Sequence, residues 1–449
     1  MRRTTRFLPF LILAAYFALS MQYALLTPPW QVPDEPAHYN YVRHVAQTRS
    51  LPELTMGCYD QTYLSRLTTG KFPPALSIAP ICYEHYQPPL YYLLAAPLFA
   101  ATGGSLLALR LFSAALGGVS LWMVYRTVSL FLPGTPIPPA TMAFVAFVPM
   151  HLTMLAAANN DSLAELLFIT FLFLLLRWLL GDAPHGAPLP LLAGGVLGLI
   201  LLTKVTVYTA VPLAALILLA GDRRPRPLLK NALRLYLPAL LMALPLYARN
   251  ALLYGNGDVL GLRRHDAVVV GQLRTADYLA QRGLPAYLGD LLRTTFHSFW
   301  GQFGWMAVPM DGRVYLALNL LQGLALVGLG LWLWRGEGRR PAVRLSLGVL
   351  AAALALSAGV FAGLNLSFVQ FQGRYFFSAL MPLGVFFSLG MAHMLRRECA
   401  LWGAGVSLAV LAVAALNGGL DKWSLLLGGG AAAAFLVRRG LPEEASGWL

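Results

Sequence analysis

An acidic pair, Asp34-Glu35, follows the first long apolar run of the chain, and His38 comes three residues later. A carboxylate at such a position could take a proton from a hydroxyl group as a general base. The spacing Glu35-x-x-His38 could also place two metal ligands on one helical face, but a metal site in a helix bundle needs a matching pair, and the sequence contains none. The structural alternative is that Asp34 caps a short helix at the membrane surface.

A second polar cluster has the sequence Tyr-Glu-His-Tyr-Gln-Pro-Pro-Leu-Tyr-Tyr over residues 83–92. Its two prolines fix a sharp turn into the next apolar segment and could hold His85 and Gln87 rigidly at the membrane surface. The alternative is that these residues form part of an interfacial belt of aromatic side chains.

Charged residues also fall at the predicted boundaries of the membrane, where burying them is costly. Asp161 and Glu165 lie one helical turn apart, and Lys204 is the one lysine of four that falls inside an apolar stretch. Arg249 and Arg374, the latter followed by Tyr375, lie at the ends of two further runs. Each of these could be a structural ion pair, a snorkelling anchor or a ligand for an anion.

The elements that position these residues follow from composition. The 449 residues are 58% hydrophobic and 12% charged, with a mean hydropathy of +0.63, so lipid must be the main solvent. Runs close to the ~20 residues that cross a bilayer recur along the chain, and backbone in lipid must pair internally. We therefore predict an all-α polytopic transmembrane protein of about twelve spans, with a large first exterior loop at residues 27–87 carrying interfacial helices. A second exterior loop is predicted at residues 254–311. The predicted spans are 7–26, 105–131, 138–158, 162–180, 189–203, 204–220, 231–253, 314–334, 342–364, 375–395, 400–416 and 423–437, with a short re-entrant or interfacial segment at 88–101.

The net charge of +14 lies in clusters that flank the spans, rather than in one basic patch with exposed aromatic residues, so we do not expect nucleic acid as a partner. Placing every cluster in the cytoplasm satisfies the positive-inside rule with one topology. Both termini then face the cytoplasm, and the protein is a multi-pass protein of the cell inner membrane. We divide the chain into a catalytic domain at residues 1–395 and C-terminal transmembrane helices at residues 396–449. The basic clusters contain Arg2, Arg3, Arg6, Arg223, Arg224, Arg226, Lys230, Arg335, Arg339, Arg340, Arg396, Arg397, Arg438 and Arg439.

Two of the three cysteines, Cys58 and Cys82, lie in the predicted first exterior loop, and Cys399 lies beside a cytoplasmic basic cluster. In an oxidising compartment the exterior pair could form a disulfide, or both could stay free thiols; the sequence leaves both open.

Five ordered motifs make the chain resemble the GT-C superfamily of membrane glycosyltransferases, and within it a bacterial branch related to the protein mannosyltransferase and aminoarabinose transferase families. The resemblance covers the chain from its N-terminus to about Leu395. The motifs are Asp34-Glu35, residues 85–92, Arg110-Leu111-Phe112-Ser113-Ala114, residues 298–305 (Ser-Phe-Trp-Gly-Gln-Phe-Gly-Trp) and residues 372–377 (Gln-Gly-Arg-Tyr-Phe-Phe).

This resemblance implies a polyprenyl-phosphate sugar donor, an exterior lipid or glycan acceptor, and the first acid of the pair, Asp34, as catalytic base. Glu35 is then a supporting or alternative carboxylate. The enzyme would be an inverting hexosyl- or pentosyltransferase, and the scheme requires no metal or other cofactor. The rival hypothesis is a transporter or flippase for a lipid-linked glycan precursor, in which the same charges line a translocation path; an inactive scaffold is a third. The residues predicted to bind substrate are His38, His85, Gln87, Asp161, Lys204, Arg249, Arg374 and Tyr375, the three cations among them facing the donor phosphate.

Overall fold

A computed structural model of the protein describes residues 7–182, 188–221, 224–338, 340–416 and 421–440. Within these ranges the chain is mostly helical and has almost no strands, which confirms the predicted fold class. The two strands of the described residues, β1 (Gln302–Phe303) and β2 (Val308–Pro309), pair antiparallel in one small hairpin. The arginines at positions 2, 3, 6, 223 and 339, which enter the topology prediction, lie outside the described residues.

The described residues up to position 221 form ten α-helices, several of them short. They are α1 (Leu8–Leu26), α2 (Glu35–Thr48), α3 (Gln61–Thr69), α4 (Leu90–Ala101), α5 (Leu106–Ser129), α6 (Ile137–Phe147), α7 (Pro149–Leu155), α8 (Asp161–Leu179), α9 (Leu189–Leu201) and α10 (Ala210–Ala220). Two 3₁₀ turns, Tyr83–Tyr86 and Val205–Thr209, precede α4 and α10.

Longer helices dominate the second half. They are α11 (Pro225–Tyr254), α12 (Leu262–Val268), α13 (Thr275–Trp300), α14 (Gly312–Trp334), α15 (Pro341–Ser367), α16 (Leu380–Met394), α17 (Ala400–Leu416), α18 (Lys422–Ser424) and α19 (Gly430–Gly440). The 3₁₀ turns Gly373–Ala379 and Arg397–Cys399 precede α16 and α17, and a π-helical turn, Leu425–Gly429, joins α18 to α19.

Eight helices of the described chain are long and apolar enough to cross a membrane, so this is a multi-pass membrane protein. The number becomes nine if the bent pair α6 and α7 forms one span, and three further apolar helices are shorter, at Leu90–Ala101, Leu189–Leu201 and Val205–Ala220. The predicted total of about twelve spans stays a prediction.

One predicted span contains a sharp bend. The run at residues 138–158 is broken between α6 and α7, whose axes differ by 71°. Val148 at the break is extended because it precedes Pro149, and a residue before proline avoids the helical region. The break returns the chain towards the beginning of α8, where Asp161 lies.

The outer surfaces of the long helices are apolar. On α11, Leu237, Leu240, Leu241 and Leu244 are all exposed, as a helix facing lipid requires. Inside the bundle, one large cluster of buried side chains joins α1, α2, α4 to α11, α15 and α16. A smaller cluster joins α14, α16, α17 and α19.

α14 and α16 approach unusually closely. A Cβ on Gly390 would lie 1.9 Å from the carbonyl oxygen of Ala325, and one on Gly328 would lie 2.1 Å from that of Gly390. Only glycine permits this contact, which fixes the two helices against each other along their length.

The first loop, residues 27–87, is closed by a disulfide between Cys58 and Cys82, whose Cα atoms are 4.6 Å apart. Of the two possibilities left open by the sequence, the structure therefore has the bonded one. The bond ties the segment before α3 to the turn Tyr83–Tyr86. Closing a loop of this size contributes about 3 kcal/mol to stability.

Candidate active site

Asp34 lies at the start of α2 with a left-handed backbone, φ +67°. Its side chain makes no capping hydrogen bond, so the structural alternative, in which Asp34 caps the helix, is wrong. The carboxylate instead accepts hydrogen bonds from the Arg374 guanidinium and the Tyr83 hydroxyl, each at 2.6 Å. The side chain keeps 21% of its surface exposed, so the paired carboxylate still faces open space.

Arg374 is itself held in place by its neighbours. Its Nε donates to the Gln372 side chain at 2.7 Å, and the Gly373 amide donates to the Ser298 hydroxyl at 2.7 Å. A Cβ on Gly373 would lie 2.3 Å from the Thr295 carbonyl oxygen, so this position must be glycine. Two of the sequence motifs, one ending α13 and one preceding α16, therefore meet to aim Arg374 at Asp34.

A second ion pair is formed by Lys204 and Asp161. The Lys204 ammonium donates to Asp161 at 2.7 Å and to the Asn160 side chain at 2.9 Å. Lys204 follows the end of α9, while Asp161 opens α8, so the turn between α9 and α10 carries a cation to the start of another helix. Glu165, one turn further along α8, pairs instead with His151 at 2.6 Å.

The two ion pairs share one electrostatic environment, to which Glu84 of the first loop also belongs. We call Asp34, Glu84, Asp161, Lys204 and Arg374 the polar cluster. Lys204 and Arg374 give it two cations against three carboxyl groups. The charges are close enough for a ligand anion to compete with each carboxylate for its cation.

The carboxyl groups of the first loop titrate very differently. Burial alone would raise the pKa of Asp34, but Arg374 and the Tyr83 hydroxyl overcome that effect and hold it at about 2. Burial and the neighbouring Asp34 carboxylate raise the pKa of Glu84 to about 7, and one of its oxygens has no hydrogen-bond partner. At neutral pH, Asp34 is therefore ionised, while Glu84 is poised to gain or lose a proton.

Glu35, next to Asp34, faces the opposite way. It is fully buried and pairs with Arg110, whose Nε and Nη2 donate to its two oxygens at 2.8 and 2.7 Å. The amides of Trp30 and Ala158 also donate to it. With every lone-pair direction occupied, Glu35 braces the end of α1 against α5 and the start of α8.

The remaining predicted residues divide between the cluster and its surroundings. Gln87 hydrogen-bonds Tyr86 and adjoins Glu84. Tyr375 donates to Gln370, beside Arg374. His38 is buried against Tyr92, 2.8 Å from its hydroxyl, and burial lowers the pKa of His38 to about 3.

Two predicted residues lie apart from the cluster. Arg249 donates to the backbone carbonyls of Leu51 and Pro52, at 3.2 and 2.7 Å, and so anchors the first loop. His85 packs against Tyr41 near the disulfide, and burial lowers its pKa to about 4.

The motif that contains Tyr91 and Tyr92 does not form an interfacial belt at these two positions. Both side chains are 0% exposed and belong to the core. Tyr92 stacks on Tyr41 with ring centroids 3.6 Å apart, which joins α4 to α2 beneath the polar cluster.

Sequence reasoning missed two groups at this site, Glu84 of the polar cluster and Tyr83, which donates to Asp34. Both stand in the motif at residues 83–92, but their contacts depend on the turn Tyr83–Tyr86 folding back on Asp34. The sequence identified Arg110 as part of a motif, but it did not predict that Arg110 pairs with Glu35.

Glu35 and His38, whose spacing could suit a metal pair although the sequence contains no matching one, have other partners: Glu35 binds Arg110 and His38 binds Tyr92. Among the described residues, two groups of three close metal-ligating side chains occur, and neither contains Asp34. One comprises Cys58, Cys82 and His85, whose thiols are already bonded to each other, and the other comprises His393, Glu398 and Cys399.

Comparison with known proteins gives matches of two kinds. Residues 86–251 match a family described as dolichyl-phosphate-mannose-protein mannosyltransferase. No curated protein matches the sequence.

Among solved structures, the oligosaccharyltransferase AglB of Archaeoglobus fulgidus, in complex with an inhibitory peptide and a dolichol-phosphate, matches with a TM-score of 0.52 and 14% identity over 96% of this chain and 56% of that chain. Its complex with Zn and sulfate matches with a TM-score of 0.51 and 14% identity, over 94% of this chain and 53% of that chain. ArnT from Cupriavidus metallidurans, bound to undecaprenyl phosphate, has 12% identity over 95% of this chain and 70% of that chain, with a TM-score of 0.49.

The chain thus spans about half the length of the archaeal enzyme, and at 14% identity the likeness establishes the fold alone. Together with the family match over residues 86–251, it confirms the resemblance to the GT-C superfamily that the sequence predicts.

Proposed function

We propose that the protein is an inverting glycosyltransferase that moves a sugar from a polyprenyl-phosphate donor to a hydroxyl of a lipid or glycan acceptor. The observation that carries this proposal is the polar cluster itself. It combines an ionised, partly exposed carboxylate, Asp34, with two cations, Arg374 and Lys204, on a GT-C fold. Base and anion-binding groups are the two requirements of this reaction.

In the proposed reaction, Asp34 takes the proton of the acceptor hydroxyl. The acceptor oxygen bonds to the anomeric carbon from the face opposite the phosphate, which inverts its configuration. The bond between that carbon and the phosphate oxygen breaks, and its electron pair leaves with the polyprenyl phosphate. Arg374 and Lys204 stabilise the negative charge that grows on the phosphate.

The low pKa of Asp34 in the unliganded pair makes it a weak base. A donor phosphate that binds Arg374 would draw the guanidinium away from Asp34, which is only 2.6 Å from it. Losing that favourable charge raises the pKa of the carboxyl group. Donor binding would therefore make Asp34 a stronger base, whereas in the empty site Asp34 would stay a weak base.

The lipid part of the donor needs an apolar surface beside the cations. An open cavity of about 630 Å³ lies among α9, α10 and α11, lined almost wholly by apolar and tyrosine side chains. Leu201 and Tyr208 of this lining flank Lys204 in the chain, and the Tyr208 hydroxyl donates to the Leu201 carbonyl. A polyprenyl tail in this groove would leave its phosphate at Lys204.

The acceptor would approach from the other side. A polar cleft of about 610 Å³ lies between the first loop and the segment before α13, lined by Tyr59, Asp60 and Tyr63 among others. Tyr59 packs against Tyr83 with ring centroids 5.7 Å apart, and Tyr83 donates to Asp34. The cleft offers aromatic faces and hydrogen-bonding groups, which suit an acceptor that carries hydroxyls.

Glu35 takes a supporting role in this scheme, because its buried ion pair fixes the backbone on which Asp34 stands. Glu84 is a second carboxyl group in reach of the same proton. The proposed catalytic unit is residues 1–395, with residues 396–449 as C-terminal helices. The cluster is proposed to face the exterior of the inner membrane, with both termini cytoplasmic.

The test uses purified protein in detergent with lipid-linked sugar and a hydroxyl acceptor. A transferase releases polyprenyl phosphate without sealed vesicles, and wild-type protein should do so while Asp34→Asn does not. If donor is never consumed in detergent, yet labelled lipid-linked sugar crosses the bilayer of proteoliposomes, the transporter or flippase hypothesis replaces this one. Sidedness is checked with an impermeant thiol reagent, which should reach cysteines placed near Arg263 from outside.

A further inference from the structure

Three segments meet at the end of the bundle away from the polar cluster. They are the turn after α14, which carries Arg335 and Glu337, the last turn of α16 with His393, and the turn Arg397–Cys399. The 15 residues of α16 span about 22 Å, which separates this group from Arg374. The close packing of α14 on α16 brings the first two segments together.

Ligand atoms of His393, Glu398 and Cys399 all lie within 4.8 Å of one another. A second carboxylate, that of Glu337, lies 3.4 Å from Nδ1 of His393. The group therefore offers one sulfur, one imidazole and two carboxylates from three separate parts of the chain. We call these four residues the His393 group.

His393 is 1% exposed, and neither of its ring nitrogens makes a hydrogen bond. Leaving a buried polar group without a hydrogen-bond partner destabilises the folded protein. Cys399 is also fully buried and is the free cysteine among the described residues. Both side chains point into the same small space, and nothing in the proposed glycosyl transfer uses them.

We propose that the His393 group is a structural binding site for Zn²⁺. Thiolate and imidazole ligands favour zinc over magnesium or calcium, which prefer oxygen. Tetrahedral zinc, with bonds of 2.0–2.3 Å, places its ligand atoms about 3.3–3.8 Å apart. The ligand atoms of His393, Glu398 and Cys399 already lie within 4.8 Å of one another, so small side-chain rotations would bring them to that geometry.

The surrounding charges accommodate the ion. Glu398 pairs with Arg335, and Glu337 pairs with Arg396. Zinc would add two positive charges and displace the thiol proton of Cys399. The site, which now has two acids against two arginines, would carry one net positive charge, with both carboxylates able to turn from arginine to metal.

Zinc binding at this site would link two parts of the chain. Glu337 and His393 lie before residue 396, while Glu398 and Cys399 lie after it, so the ion would tie the proposed catalytic unit to the C-terminal helices. Four protein ligands would close its coordination sphere, which is typical of structural rather than catalytic zinc.

The experiment uses the full chain, purified with a tag that contains no histidine, stripped with a chelator and titrated with Zn²⁺ or Co²⁺. We expect one ion per chain, and Co²⁺ should give a thiolate-to-metal charge-transfer absorption. The protein has three cysteines, of which Cys58 and Cys82 are bonded, so this absorption identifies Cys399.

Cys399→Ser and His393→Gln should each weaken zinc binding at least about tenfold, since even loss of an outer partner costs that much. His44→Gln, a change at a part-exposed histidine of α2 far from the site, should bind zinc as the wild type does. Zn²⁺ should also protect Cys399 from alkylation in the wild type, and His393→Gln should remove that protection, a readout that needs no activity. Absence of bound zinc in the wild type, or unchanged affinity in both site variants, would overturn the proposal.

Discussion

Asp34 and Glu35 are consecutive carboxylates with opposite environments. Asp34 is 21% exposed and pairs directly with Arg374, whose guanidinium lies 2.6 Å from its carboxylate. Glu35 is fully buried and accepts four hydrogen bonds from Arg110 and the amides of Trp30 and Ala158. The region around Asp34 can change its partners, whereas the region around Glu35 cannot.

The backbone explains the difference. Asp34 adopts a left-handed conformation and Glu35 is the first residue of α2, so the two side chains leave the chain in different directions. Such a backbone costs of order 1–3 kcal/mol at a residue other than glycine. The buried ion pair between Glu35 and Arg110 stabilises this backbone conformation. In an acidic pair, one residue can thus be catalytic while its neighbour stabilises the backbone.

The contrast between a catalytic Asp34 and a structural Glu35 does not hold if Asp34 is not the group that reacts. Asp34→Asn keeps the size and hydrogen bonding of the side chain but cannot accept a proton. We expect turnover of lipid-linked sugar in detergent to fall by about 10²- to 10⁴-fold, because that is the usual cost of a lost general base. Thermal stability and donor affinity should stay close to wild type, and Asp277→Asn, at an exposed aspartate that opens α13, is the control. Near-wild-type turnover by Asp34→Asn would remove it from the mechanism.

The structural role of the Glu35–Arg110 ion pair is tested by removing one of its two charges. Arg110→Ala or Glu35→Gln leaves one member of a buried ion pair uncompensated, which typically costs 3–5 kcal/mol. The measurement is the midpoint of thermal unfolding in detergent, with Arg126→Ala as control because Arg126 lies exposed on the same helix, α5. Wild-type stability together with lost turnover would instead make Glu35 a participant in the reaction.

A third prediction sharpens the comparison by separating cations that bind ligand from cations that hold structure. Lys204→Ala and Arg374→Ala should each weaken donor binding by about 1.5–3 kcal/mol, the worth of a charged hydrogen bond. Arg249→Ala should leave donor affinity unchanged, since its guanidinium binds backbone carbonyls of the first loop. Fluorescent or radiolabelled polyprenyl phosphate in a binding assay decides it. Equal losses in all three variants would place Arg249 in the site.

The smallest expected effect concerns Glu84. Its pKa is about 7 in the folded protein against 4.5 ordinarily, so the folded state binds more protons than the unfolded state between these values. Stability should therefore fall as the pH rises from about 4.5 to about 7, and Glu84→Gln should remove that fall. Relative to wild type, the variant should gain on the order of 1–3 kcal/mol between pH 4 and pH 8. The unfolding midpoint measured across this range checks it, and parallel curves for the two proteins would contradict the raised pKa.

The amino-acid sequence alone indicates that lipid is the main solvent, that the fold is helical and which motifs the chain contains. Lipid as solvent follows from composition, since so apolar a chain has no other way to bury its surface, and helices follow from the need to pair backbone groups locally. The Gln372-Gly373-Arg374-Tyr375 motif and the isolated Lys204 could be recognised because a charge at such a depth is costly unless it is paired or functional.

The tertiary structure alone decided which charges meet. The partner of Asp34 lies 340 residues away in Arg374, that of Glu35 lies 75 residues away in Arg110, and Lys204 finds Asp161 rather than Glu165. Spacing along one helix predicts neighbours only within that helix, whereas these pairs join different helices. Their choice depends on how α2, α8, α13 and α16 pack, on the break at Pro149 and on the left-handed backbone of Asp34. Each of these is fixed by contacts between distant segments, and no local pattern in the sequence contains them.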